Sequence, residues 1–327
     1  MLKKNNCKKV MLLLPAQLKS LPTQTYIYPV LTPQQVMEKY GKTFALAAKL
    51  LNAQSRYDAA QLYAFARTID DMVDMQATNL KVKVQLNQLK NTFARDHFLL
   101  QQVIDKHEIS LTVLYAFLQA QANDEDGRQL ATQQCLINYA YGVAGSIGSM
   151  MRPILGASYQ GENYAISLGI AMQLTNIARD LVEDAARKRI YIPASFFIKS
   201  LQIHSLENPS VQESKHIFLA ITQLLSLADD YYDYARLGYQ FIPFRNRLSI
   251  AAAAQMYRGI GTQIIKNGYS KYWHGRVSLN NLHKISIAIL AIIQTITHAI
   301  FPPKSTPNNA VLTSISIDKA IAHYQSA

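Results

Sequence analysis

Three oxygen-bearing side chains, Asn176, Asp180 and Asp184, recur at i, i+4 and i+8 in QLTNIARDLVEDAARKRIYIP, Gln173 to Pro193. On a helix this spacing puts all three on one face, spread over about 12 Å at about 1.5 Å per residue. Arg179 stands beside Asp180, and Arg187, Lys188 and Arg189 follow a turn later. Carboxylate and amide oxygens suit a hard divalent cation, while guanidinium forks suit phosphate oxygens, so the combination fits a Mg²⁺-diphosphate. A second cluster of the same kind lies earlier, in LYAFARTIDDMVD, where Arg67, Asp70 or Asp71, and Asp74 share one helix face.

The plain alternative for either cluster is a solvated, charged helix face. The flanking residues argue against it. Leu62, Tyr63, Phe65, Ile69, Met72 and Val73 surround the first cluster, and acids projecting from so apolar a helix cost several kcal/mol unless a cation or base neutralises them.

The helices that must carry these groups resemble a known family. DDxxD on one helix and NxxxDxxxD on another are similar to the two signatures of the squalene and phytoene synthases, the head-to-head prenyl synthases. GKTFALAAKLL (Gly41 to Leu51) resembles the family's N-terminal substrate segment. YAYGVAGSIGSMM (Tyr139 to Met151) resembles its small-residue helix, and QMYRGIGTQI and GRVS resemble late segments of the bacterial phytoene synthases. The likeness runs in order from Tyr40 to Phe301; Ala66 replaces a cysteine common in the family.

This resemblance implies an all-α isoprenoid synthase bundle with a central cavity. It implies Asp70, Asp74, Asn176, Asp180 and Asp184 as ligands of Mg²⁺, with Mn²⁺ as an alternative ion and Asp71 in support. Arg67, Arg179 and Arg189 would hold diphosphate oxygens, assisted by Tyr257 and Tyr191. Gln173, Phe44, Tyr63, Tyr139, Val143 and Ile147 would complete the substrate site. Lys42 resembles a family lysine near the phosphates, and Arg276 matches a family position without an assigned role. The implied reaction condenses two allylic diphosphates through a cyclopropylcarbinyl diphosphate to a linear hydrocarbon. Phytoene from two geranylgeranyl diphosphates is the leading expectation. A C30 enzyme using farnesyl diphosphate is the alternative, and NADPH is expected only if squalene is the product. A non-catalytic assembly or binding factor on the same fold is the alternative of another class; intact acids and arginines in both clusters weigh against it.

Composition agrees with a helical reading. Of 327 residues 49% are hydrophobic, glycine is scarce at 13 and proline at 11, and helical periodicity is far easier to find than strand alternation. Both acid clusters sit in one stretch without a linker, so one domain over 31–301 is expected. A basic, flexible extension would occupy 1–30, and a loose tail 302–327. The net charge of +12 suits an anionic substrate or lipid surface; no nucleic-acid-binding signature is present. Cys7 and Cys135 match no disulfide framework or metal spacing, and the eight histidines form no zinc pattern. A reducing cytoplasm is therefore the default, with peripheral membrane contact and hand-off of the product to a downstream desaturase.

Smaller expectations follow. Thr32 and Pro33 read as N-cap and first residue of a helix continuing through Tyr40 and Phe44. Thr78 to Gln133 reads as scaffold helices with a turn at NDEDG. Glycines in Tyr139–Gly148 imply a close approach, either by a neighbouring helix or by a prenyl chain. Asp229, Asp230 and Asp233 form a third acidic stretch without a matching arginine, read as scaffold. Lys284–Phe301 is the nearest approach to a membrane span, at the short end of the about 17–25 residues required and interrupted by polar groups.

Overall fold

Thr32 caps the first helix as its position suggests. Its hydroxyl accepts from the Gln35 backbone N–H, and the Gln35 side chain returns to the Thr32 N–H at 2.8 Å. This reciprocal pair satisfies two donors that a helix start leaves open. A computed structural model describes residues 31–75, 100–124, 129–197, 206, 209–300 and 309–325, without the side chains of residues 72, 74, 75 and 298–300.

Among the described residues there is no sheet, only an isolated bridge between Gln129 and Ile190. The helices are α1 (Pro33–Tyr40), α2 (Lys42–Ala48), α3 (Ala53–Met75), α4 (Gln101–His107), α5 (Leu111–Ala122) and α6 (Gln133–Ala140). A π-turn over Tyr141–Gly145 joins α6 to α7 (Ser146–Ile154). Then come α8 (Glu162–Ala186), α9 (Val211–Leu237), α10 (Phe244–Tyr272), α11 (Asn281–Ile300) and α12 (Ala310–Gln325). The all-α expectation holds.

The second acid helix, α8, is the axis of the bundle, packed against α7, α9, α10 and the π-turn. Ile166, Ile170, Leu174, Ile177 and Leu181 are almost wholly buried along it, each contributing about 1.5–3 kcal/mol relative to exposure. That anchoring lets one remaining stripe of α8 carry polar groups. The first acid helix, α3, is held by α1 and α7. Buried Asp58 also ties it to α4, accepting from Lys106 Nζ and meeting His107 Nε2, both at 2.8 Å.

The glycine question resolves at the crossing of α7 and α8. A Cβ on Gly148 would lie 2.2 Å from the Ala165 carbonyl oxygen, and one on Gly169 would lie 2.2 Å from that of Ala144. Backbone against backbone requires these glycines, and both also line the cavity of the bundle, so the helix crossing and the cavity wall coincide here. The π-turn just before Gly148 is the kind of local rewinding often found at functional sites.

Several expectations are corrected. The first helix does not run through Phe44: the chain breaks at Gly41, whose Cβ would strike the Tyr63 ring at 2.6 Å. The tail is not loose over 310–325. There α12 packs on α6, α8 and α9, with Ile317 and Ala320 fully buried and Tyr324 against Tyr141; its apolar stripe fills a surface the bundle would otherwise expose. Cys135 is buried in α6, where its Sγ accepts from Thr132 Oγ1 at 3.2 Å. The only other cysteine, Cys7, lies outside the described residues, as do residues 1–30, 76–99 and the end of NDEDG. No helix among the described residues is long and apolar enough to cross a membrane.

Candidate active site

Helices α2, α3, α7, α8, α10 and α11 border one cavity of about 820 Å³. Its apolar wall includes Phe44, Tyr63, Val143, Ile147, Met151 and Leu168. Phe44 is the centre of an aromatic group, with ring centroids 5.8 Å from Tyr63 and 5.0 Å from Tyr257. Burial pushes the Tyr257 hydroxyl up to about 12 and raises Tyr63 as well, so both rings remain neutral at physiological pH. The π-turn brings Val143, and α7 Ile147, to this wall.

One end of the cavity is cationic. Lys39, Lys42, Arg67, Arg179, Arg276 and Lys284 line it, with Asp70 among them. Burial, then the Lys42 charge, lowers the Lys284 amine below its usual value. Two ammonium groups facing the same space favour an anion between them.

On α3, Arg67 donates to Asp70 at 3.4 Å and to Asp71. Asp70 is half exposed at the cavity, whereas Asp71 is buried behind it. The helix spacing therefore separates the adjacent acids, one toward the cavity and one into the wall. Asp74 lies on the same helix, with its side chain outside the description.

On α8, Gln173, Asn176 and Arg179 reach the cavity. Asn176 donates to Gln173 at 3.5 Å, but its buried Oδ1 has no hydrogen-bond partner. Asp180 is gripped by two guanidinium groups. Arg179 Nε donates to Oδ1 at 2.6 Å and its Nη2 to Oδ2; Arg276 Nε and Nη2 donate to the same oxygens at 2.7 and 2.9 Å. Burial would raise this carboxyl, yet the two forks outweigh it and hold Asp180 below the usual range. One turn on, burial and then the Asp180 charge push Asp184 up to about 7. An orphaned amide oxygen followed by two crowded carboxylates is a donor set that fits a hard divalent cation. Among the described residues no three His, Cys, Asp or Glu are already grouped to hold one.

Three expected substrate contacts are elsewhere. Arg189, Tyr139 and Tyr191 do not line the cavity; they gather around buried Asp124. Tyr191 donates to it at 2.6 Å and Tyr139 at 3.3 Å, their rings stacked 4.7 Å apart, while Arg189 lies at 3.7 Å. The cause is the end of α8. Lys188 takes a left-handed φ of 60° and the Arg189 N–H returns to the Asp184 carbonyl. The chain so reverses and sets Arg189 between Asp124 and Asp184, where its charge works against the rise of the Asp184 carboxyl. Arg276 is the residue whose role the sequence left open, since its partner Asp180 is remote in the chain.

A family model described as squalene/phytoene synthase matches residues 37–283. The chain belongs to the squalene/phytoene synthase family. It is 32% identical over 286 residues to a 15-cis-phytoene synthase of Enterobacter agglomerans, covering 80% of this chain and 94% of that one. A 4,4'-diapophytoene synthase of Staphylococcus haemolyticus is 30% identical, over 77% and 92% of the two chains. A solved dehydrosqualene synthase structure superposes with a TM-score of 0.69 at 24% identity, over 81% of this chain and 95% of that one. Members of this family are prenyltransferases that condense their substrates head to head, and they generally depend on a divalent metal.

Proposed function

We propose that the protein is a phytoene synthase that joins two molecules of geranylgeranyl diphosphate without NADPH. The observation that carries this reading is an apolar cavity with aromatic walls into which both acid helices bring an arginine, Arg67 and Arg179, among further cations. The 15-cis-phytoene synthases of Enterobacter agglomerans and Pantoea ananas, at 32% and 31% identity, support the C20 substrate.

In the free protein Arg179 and Arg276 spend their N–H groups on Asp180. An arriving diphosphate offers better-charged oxygens to the same forks, and accepting them releases the Asp180 carboxylate. Arg67, Lys42 and Lys284 add cations at that end. Mg²⁺, held by Asp70, Asp74, Asn176, Asp180 and Asp184, would supply neutralisation of the leaving diphosphate's charge. In the first half-reaction one C1–O bond breaks and its electron pair leaves with the diphosphate. The allylic cation is taken up by the double bond of the second substrate, and loss of one proton closes the cyclopropane. In the second, the remaining diphosphate leaves, the skeleton rearranges, and another proton is lost to give the hydrocarbon. Phe44, Tyr63 and Tyr257 exclude water, and their ring faces favour the cationic intermediates. A product without polar groups leaves into lipid, so the protein works at a membrane surface and supplies a desaturating enzyme.

The test is incubation with Mg²⁺ and either geranylgeranyl or farnesyl diphosphate, with and without NADPH, followed by mass analysis of extracted hydrocarbons. A C40 hydrocarbon from the C20 substrate without NADPH is expected. The diapophytoene synthase relative supports a second reading, to which a C30 product alone would move the assignment. Asp70→Asn and Asp180→Asn should each abolish diphosphate release; wild-type protein that releases none under any condition would refute catalysis and favour a binding role.

A further inference from the structure

Helix α11 is turned inside out. Leu282, Ile285, Ile289, Leu290, Ile293 and Ile296 are all exposed, from 38% for Ile296 to 81% for Leu282. At about 100° per residue they fall on one face of the helix. The face packed against the protein carries mainly small and polar groups, with Ala291 3% and Thr295 7% exposed, beside the large aliphatic Ile287. A helix that needed only to cover the bundle would have the reverse arrangement, so the outward stripe has another solvent in view.

The charge around it says which. Residues 234–317 contain nine Lys or Arg and no Asp or Glu; α11 lies wholly within this acid-free stretch. In space, a hollow beside α11 lined by His283, Ile287 and Gln294 gathers Arg236, Arg258 and Lys266 against one acid, Asp233. Such a net-cationic surround beside an aliphatic stripe is complementary to an anionic lipid headgroup layer above acyl chains. Span is excluded for the described helices, and α11 is long enough, about 30 Å at about 1.5 Å per residue, to lie in the plane of the interface. Position agrees as well. Lys284 of α11 and Leu279 just before it line the catalytic cavity, while Ile287 and Leu279 stand against Gly259 of α10. The stripe therefore begins at the cavity mouth.

We infer that the outward face of α11 is the surface by which the protein lies on an anionic bilayer, so that the cavity mouth opens at the lipid. This assignment rests on the membrane-surface reading above and adds the face that does the binding.

Flotation of the full chain with vesicles of phosphatidylglycerol and phosphatidylcholine (1:1), against phosphatidylcholine alone, tests it. Wild type should float with the anionic vesicles. Ile289→Glu with Ile293→Glu should weaken partitioning by about 100-fold or more, since two half-immersed isoleucines are lost. The milder pair Ile289→Ser and Ile293→Ser should lose part of it. Leu312→Glu, at an equally exposed apolar site on α12, should float as wild type does. Thermal unfolding and turnover of detergent-dispersed substrate should be unchanged in all four proteins, showing an intact fold. If wild type floats and the double Glu variant floats equally, the membrane reading stands and α11 is the wrong face. If wild type does not float, both fall. A lipid-free dimer that becomes monomeric in the double variant overturns the inference in favour of a second copy of the chain on this face.

Discussion

Arg276→Gln separates a substrate-binding arginine from a structural tie. Arg276 supplies two of the four N–H bonds that hold Asp180, and Arg179 supplies the others. Its side chain is 55% exposed, so losing the pair in the free protein costs at most about 1 kcal/mol. Asp180 keeps a bidentate partner and is not left as a bare buried charge. The melting temperature should therefore fall by no more than about 2–4 °C. Turnover should respond differently. A guanidinium at the cavity mouth that takes a diphosphate oxygen contributes about 1.5–3 kcal/mol through a charge-assisted bond. Its removal then lowers kcat/KM by about 10- to 150-fold. Arg276→Lys retains the charge but not the fork, and should fall between the two. The assay is diphosphate release over a range of prenyl diphosphate concentrations, with thermal unfolding measured on the same preparations. A kcat/KM within about 2-fold of wild type would refute the exchange of arginine from carboxylate to substrate. So would a large loss of melting temperature accompanying the loss of activity.

Gly169→Ala forces a Cβ to within 2.2 Å of the Ala144 carbonyl; overpacking should cost about 1–3 kcal/mol, read as a lower urea midpoint. Asp58→Asn tests the tie between α3 and α4. Burial would raise the Asp58 carboxyl, but bonds from Lys106, His107 and Gln54 hold it below 3.8. Its folded value being the lower one, the stability it contributes is present above the unfolded value and is lost as pH falls through the folded one. Wild type should thus lose this contribution on acidification below about pH 4, whereas the variant should already lack about 1–3 kcal/mol at pH 7; equal denaturation midpoints at pH 7 would sink the argument. Ile317→Ala removes a fully buried side chain from α12 and should destabilise by about 2–5 kcal/mol in chemical denaturation, whereas a loose tail would show no change.

The helical class and both acid faces were legible in the sequence because they depend on local periodicity. Asp70 faces the cavity and Asp71 the wall on α3, as a 3.6-residue period requires. Gln173, Asn176 and Arg179 reach the cavity along one stripe of α8 for the same reason. Thr32 and Pro33 announced a helix start through the chemistry of the cap alone. The glycines signalled a close approach, but not what approaches, since Ala144 and Ala165 belong to other turns of the fold.

What only the tertiary structure decided is non-local. Arg276, in the link between α10 and α11, meets Asp180 of α8, and no spacing rule links residues that far apart. Arg189 follows the acid helix in sequence yet pairs with Asp124 beside Asp184 instead of lining the cavity, because one left-handed residue, Lys188, reverses the chain. The segment 310–325 reads by itself as part of a loose tail and is fixed as a helix by the surface of α6, α8 and α9 that it covers. The stripe on α11 was readable as apolar, but only packing reveals that it faces outward. Periodicity tells which residues share a face; the neighbours a face meets are set by the balance of burial over the whole chain.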